Sequence, residues 1–166
     1  MILGLSIGAF TLLHVVITLV AIGSGLTVVG GMFASHRLPG TTALFLFTTL
    51  LTSVTGFLFP IHGFTPALGV GILACAILAV AALALYKEHL VRAWRWIYVT
   101  AAIVSLYLNV FVLVVQSFTK VPALNALAPT QSESPFAIAQ AGVLVIFILI
   151  GLIAAVKFRP MTTTRA

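Results

Sequence analysis

No charged side chain occurs between Met1 and Ala34, and four further apolar runs follow within a chain of 166 residues. About 20 mostly apolar residues in a helix cross a hydrocarbon core about 30 Å thick. Five segments meet that requirement, within Leu5–Ala34, Thr41–Phe59, Ala67–Tyr86, Trp96–Phe118 and Phe136–Phe158. Lys157, near the end of the last, is the one charged group inside them. Continuous apolar runs lack the in-and-out alternation of a barrel strand, and a helix satisfies its own backbone where no water is available. The expected fold class is therefore all-α: a single-domain polytopic membrane protein built as a five-helix transmembrane bundle.

Composition excludes the soluble alternative. Only 6% of the residues are charged, against about 25% in a typical soluble domain. The net charge of +6 would raise nucleic acid as a partner in a soluble protein. Here the basic residues are spread over short loops with no aromatic-basic groove, so membrane lipids, not nucleic acid, are the expected surroundings. Cys75 is the single cysteine, which excludes an internal disulfide and paired-thiol redox chemistry.

Prolines punctuate the runs. Ser35–Gly40 contains Pro39, and Pro60–Pro66 separates spans two and three; a proline ends one helix and opens the next. Lys87–Arg95 is a charged break, and Thr119–Pro135 is the longest polar stretch. The first run is too long for one simple span, since 34 helical residues would extend about 51 Å at about 1.5 Å each. Tilt, protrusion or a bend near Gly23-Ser24-Gly25 would absorb the excess. The run also lacks the basic n-region of a cleaved signal peptide.

The helix faces carry the chemistry. Span two holds Thr48, Thr49, Thr52, Ser53 and Thr55, read either as interhelical glue or as the lining of a cavity. On span four, Tyr98, Ser105, Asn109 and Gln116 lie within about 20° of a common direction at about 100° per residue, one polar stripe along the helix. Gln140 on span five is expected at the depth of Gln116. Gly71, Cys75 and Ala79 form a small-residue stripe on span three that reads as helix packing. Trp94 and Trp96, beside Arg92 and Arg95, read as interfacial anchors.

His14 is the one ionisable side chain well inside a span, a functional candidate by default. His62 falls just beyond span two, at the same predicted end of the bundle. Imidazole ligates haem iron or hydrogen-bonds a quinone; the plain alternative is a neutral histidine bonded to a threonine or asparagine neighbour. The candidate ligand-binding set is His14, His62, Ser105, Asn109, Gln116 and Gln140, with His14 and His62 as potential haem ligands. The loop after span four is expected to carry a short amphipathic turn through Val121, Leu124 and Leu127. It serves either as a structural cap, with Lys120 and Glu133 paired across it, or as a cover over the candidate set.

The run Ala93-Trp94-Arg95-Trp96-Ile97-Tyr98, continued by Leu106-Tyr107-Leu108-Asn109-Val110-Phe111, Lys120-Val121-Pro122 and Leu127-Ala128-Pro129-Thr130-Gln131, resembles small uncharacterised inner-membrane proteins of bacteria. The resemblance implies a bacterial inner-membrane location and carries no activity or site. Absences narrow the function further. No span contains a carboxylate, which disfavours proton-coupled transport, and no phosphate-binding glycine loop, HExxH motif or nucleophile elbow is present.

The leading expectation is a small inner-membrane binding or accessory protein, with haem b or a quinone as possible cofactor, acting as a homo-oligomer or as a subunit of a larger membrane complex. A small-solute channel or transporter is the first alternative, and a lipid-modifying membrane enzyme the second. The loop cations set the direction. Arg37, Lys87, Arg92, Arg95, Lys157, Arg159 and Arg165 fall on one side of a five-span chain and Lys120 alone on the other. The positive-inside rule then predicts the N-terminus outside and the C-terminus in the cytoplasm. A reporter fused after Arg165 should be active only where cytoplasmic activity is required; activity on the outer side would reverse the assignment.

Overall fold

The computed structural model describes residues 1–60, 63 and 65–160. Its long elements are α1 (Ile7–Phe33), α2 (Pro39–Phe57), α3 (Pro66–Ala82), α4 (Trp94–Lys120) and α6 (Ser134–Lys157), with a short α5 (Pro122–Leu127) before α6. A π-helical turn, Leu83–Lys87, prolongs α3. Five of the helices, counting α3 with that turn, are long and apolar enough to cross a membrane. The expected span boundaries differ from these helices by two residues or fewer at every end.

Local chemistry sets the ends. The Ser6 hydroxyl caps α1 by accepting from the Ala9 amide at 3.2 Å, and Thr65 caps α3 through the Leu68 amide at 3.2 Å. Such caps satisfy amides that have no intrahelical partner. Part of the excess length of the first run lies before the helix starts, because Ile2 and Leu5 pair their backbones in a tight turn. At its other end α1 closes in a Schellman motif. His36 N donates to Gly31 O at 2.8 Å and Ser35 N to Met32 O at 3.1 Å, with Ser35 left-handed at φ 61°. Leu38 then lies over Gly31, where a Cβ would stand 2.6 Å from Leu38 Cδ1.

Successive long helices run in opposite directions. One end gathers the start of α1 with the end of α2: Phe10 and Phe59 meet edge to face at 5.0 Å. We call this the histidine end. The opposite, basic end joins three separate segments. Arg95 Nη1, at the start of α4, donates to Ala155 O at 3.1 Å and also to Phe158 O. Arg159 N donates to Ser35 Oγ at 2.8 Å. Arg95 also lies over the Trp96 ring, 4.3 Å from its centre. It therefore does more than mark an interface: it caps the free carbonyls at the C-terminus of α6, where a cation is also favoured by the helix dipole.

Helix α4 is the axis of the bundle and packs against α1, α2, α3, α5 and α6. Half of its apolar window, 50%, is buried, against 6% for α6. The closely packed core lies toward the basic end, where Met32, Phe45, Tyr98, Val99 and Leu106 are fully buried. Gly25 makes that packing possible, since a Cβ there would stand 2.6 Å from Leu106 Cδ1 and 2.9 Å from Phe45 Cε2. The small stripe on α3 is only partly a packing face. Gly71 receives Phe57, whose Cε1 lies 2.5 Å from where a Cβ would be. Ala79 is exposed, and the buried face is Ala74, Leu78 and Ala81.

The loop after α4 contains the expected short helix, but Val121 and Leu127 are exposed. Polar groups and one small side chain hold it instead. Asn125 Nδ2 donates to Phe118 O at 3.1 Å, Gln131 Nε2 donates to Thr119 Oγ1 at 2.5 Å, and Ala128 is fully buried. Glu133 does not turn to Lys120: its carboxylate accepts from the amide and hydroxyl of Thr130 and the amide of Ser132. Desolvation pushes this carboxyl up, and those hydrogen bonds outweigh it and hold the group below its ordinary value.

Overpacking a filled contact costs about 1–3 kcal/mol. Gly25→Ala should destabilise the bundle by that amount in reversible unfolding from detergent. Gly142→Ala, with no neighbour within 4 Å, should be neutral or slightly stabilising.

Candidate functional site

A cleft of about 710 Å³ opens at the histidine end between α1, α2, α3 and α4. Its walls are mainly apolar, from Val15 and Leu19 on α1, Phe57 on α2, Leu68 and Val70 on α3, and Leu108, Val112 and Leu113 on α4. The polar groups are few: His14, Thr18, Thr52, Ser53, Asn109, Gln116, Ser117 and Lys120, with Thr11 and Thr65 toward the mouth. Apolar walls with a small number of placed polar groups are the usual make-up of a small-molecule site. A second groove of about 440 Å³ lies between Val80, Trp96, Thr100 and Val104, and its lining is almost wholly apolar.

His14 is half-buried and fixed on two sides. Its Nδ1 lies 2.7 Å from Thr55 Oγ1, and Phe59 stands edge to face at 5.4 Å. Gly56 lies beside the ring, where a Cβ would stand at ordinary contact distance, 3.7 Å from His14 Cε1. The backbone of the same residue is engaged as well: Thr18 Oγ1 donates to His14 O at 2.8 Å. Thr18 also reaches across to Thr52 Oγ1 at 3.4 Å. The α1–α2 contact at this depth is thus a ladder of threonines around one imidazole.

Asn109 provides the link from α4. Its Nδ2 donates to Thr49 Oγ1 at 3.2 Å, and both residues are buried. The threonines of α2 therefore serve both readings made from the sequence. Thr48, Ser53 and Thr55 return their hydroxyl protons to carbonyls on their own helix, a low-cost arrangement in lipid. Thr49 and Thr55 also tie α2 to α4 and α1, while Thr52 and Ser53 face the cleft.

The structure divides the expected set of site residues. His14, Asn109 and Gln116 line one cleft. Ser105 and Gln140 do not. Ser105 is fully buried in the packed half, and its hydroxyl has no partner among the described residues. Gln140 lies between α6 and α4, where Nε2 donates to Phe111 O at 3.2 Å and the buried Oε1 is unpaired among the described residues. The α4 stripe fails to form one path because the helices close around its lower half: Tyr98 and Ser105 are sealed, and the cleft begins at Leu108 and Asn109. His62 lies outside the described residues. Among the described residues no group of three His, Cys, Asp or Glu side chains is placed to hold a metal ion.

Lys120, in sequence the lone basic group of its side, also lines the cleft. The sequence does contain the clue, because Asn109, Gln116 and Lys120 fall on one helical face at i, i+7 and i+11. The long loop makes its described hydrogen bonds to its own residues and α4, and contributes only Val121 to the cleft. It is a cap on the end of α4. No protein family, curated protein or solved structure matches the chain.

Interhelical hydrogen bonds in membrane proteins contribute about 0.6 kcal/mol on average and up to about 1.7 kcal/mol. A double-mutant cycle of Asn109→Leu and Thr49→Val, measured by unfolding in detergent, should give a coupling in that range. A coupling indistinguishable from zero would remove Asn109 as the tie between α2 and α4.

Proposed function

We propose that this chain is a small inner-membrane binding or accessory protein that holds a lipid-soluble ligand, a quinone in the first instance, in the cleft at the histidine end. The observation that carries the reading is the His14–Thr55 pair set into an apolar cleft of about 710 Å³. The walls suit a long apolar tail. His14, Thr52 and Asn109 suit a polar ring or head that enters between the helices, with Gln116 and Lys120 farther toward the end of α4.

Haem is the second reading, and one feature favours it. A histidine whose Nδ1 is held by a hydrogen bond presents Nε2 in the manner of an axial ligand. The channel reading draws less support, because the packed core toward the basic end interrupts the polar stripe of α4. A lipid-modifying enzyme would need an acid-base set beyond His14, and Glu133 is engaged in its own loop.

The proposed setting is a bacterial inner membrane with the histidine end outside and the basic end in the cytoplasm, in line with the charge distribution. The broad apolar surface of α6 suits contact with lipid, a second copy or a larger complex. Purification in mild detergent, solvent extraction and an absorption spectrum test the proposal. Quinone should co-purify at near-equimolar yield and fall at least about tenfold in His14→Ala, as expected when about 1.4 kcal/mol of affinity is lost. A Soret band in place of quinone would establish the haem reading. Neither species, together with unaltered behaviour of His14→Ala, would refute both.

A further inference from the structure

We infer that the cleft selects its ligand by hydrogen-bond polarity and takes a quinone in its reduced, hydroxyl-bearing form in preference to the oxidised, carbonyl form. This rests on the reading of the cleft as a site for a lipid-soluble quinone.

The argument is an inventory of protons. Thr55 Oγ1 lies 2.7 Å from Leu51 O and 2.7 Å from His14 Nδ1. Two oxygens at that separation need a proton between them, and a carbonyl has none to give. The single hydroxyl proton of Thr55 is thereby directed to its own helix. The bond to His14 must then use a proton on Nδ1, with the threonine oxygen accepting. A neutral imidazole carries one N–H, so Nε2 is left with its lone pair. Charging the ring to supply a second proton is costly in apolar surroundings. No described residue donates to Nε2, and His14 lines the cleft. The site therefore offers an acceptor where a ligand head would sit.

Thr52 does not reverse that polarity. Thr18 gives its one proton to His14 O at 2.8 Å, so its 3.4 Å contact with Thr52 Oγ1 can use only the proton of Thr52, and the threonine pair leaves no free donor beside Nε2. A phenolic hydroxyl satisfies the acceptor by giving its proton to Nε2. A quinone carbonyl has no proton and meets the Nε2 lone pair head on. To bind it well, His14 would have to move its proton to Nε2 and lose the bond to Thr55. Thr55 is absent from the cleft lining and acts through His14 as a positioning residue.

Equilibrium binding of decylubiquinol and decylubiquinone to the full chain in detergent, under anaerobic reducing and oxidising conditions respectively, tests this. The quinol should bind at least about tenfold more tightly, the expected size for one unsatisfied buried acceptor. In Thr55→Val the proton is free to move, and the ratio should fall toward one. Equal affinities in the wild type would overturn the preference while leaving the cleft reading intact. Binding of neither form would remove both. A preference that survives Thr55→Val unchanged would show that His14 is not its source and would overturn the proposal. NMR of isotope-labelled histidine, with the His14 signal assigned by its loss in His14→Ala, checks the wild type independently of that variant. Protonated Nδ1 with bare Nε2 is expected, and the opposite tautomer is fatal.

Discussion

A polar group inside an apolar bundle has only the protein to bond with, and this constraint organises the whole structure. Backbone groups meet it by forming helices. Most hydroxyls in the spans meet it by turning back to a carbonyl one turn earlier, as Thr11, Ser24, Thr48 and Thr55 do. Once those needs are met, only a few polar atoms remain to point elsewhere. They decide which helices touch at which depth. Thr55 orients His14, Thr49 holds Asn109, and Arg95 closes the end of α6. The interior chemistry of the protein is what is left after local satisfaction.

The helices were legible in the sequence because the physics that makes them is local. Apolar run length, Pro39, Pro60 and Pro66, and the charged break at Lys87–Arg95 need no knowledge of neighbours. The pairings were less legible because they depend on how each helix is rotated. Ser105, Asn109 and Gln116 share one face of α4, yet only the outer part of that face opens into a cleft. Gln140 has the depth of Gln116 by its place in the chain, but its helix lies across α4 and directs the amide to Phe111. His14 does bond a threonine, one of the neighbours its plain reading named. Which threonine it was required the α1–α2 contact. Arg95 looked like a membrane anchor because its neighbours are tryptophans; its bonds to Ala155 and Phe158 join residues about sixty positions apart.

The two ends of the bundle differ in kind. Around Phe45, Tyr98 and Leu106 the side chains interlock, and Gly25 marks how closely the backbones approach. Around His14, α1 and α2 meet through His14, Thr55, Thr18 and Thr52 with Phe10 and Phe59 beside them, and a cleft opens toward α3 and α4. A tightly packed half that holds the geometry of a looser half is a suitable base for a binding site, since the polar groups keep their places without filling the space between them. The proposed choice between two redox forms of one ligand follows from that arrangement, because a single proton on His14 sets the polarity of the cleft.

Helix α6 differs from its neighbours in how it is attached. Its apolar window is 6% buried, and Phe147 and Ala154 are its only buried side chains. Arg95 holds its last turn, and Phe118 meets Phe136 edge to face at 5.4 Å near its first. Between those ends it lies mainly along α4, with Gln140 bonded to Phe111 and Phe147 edge to face with Tyr107 at 5.7 Å. In a two-stage view of membrane folding, where helices insert singly and then associate, the cleft requires the association of α1 to α4 and no side chain of α6. Every lining side chain of the cleft except Val121 comes no later than the end of α4, so the walls of the site owe nothing to the last long helix of the chain.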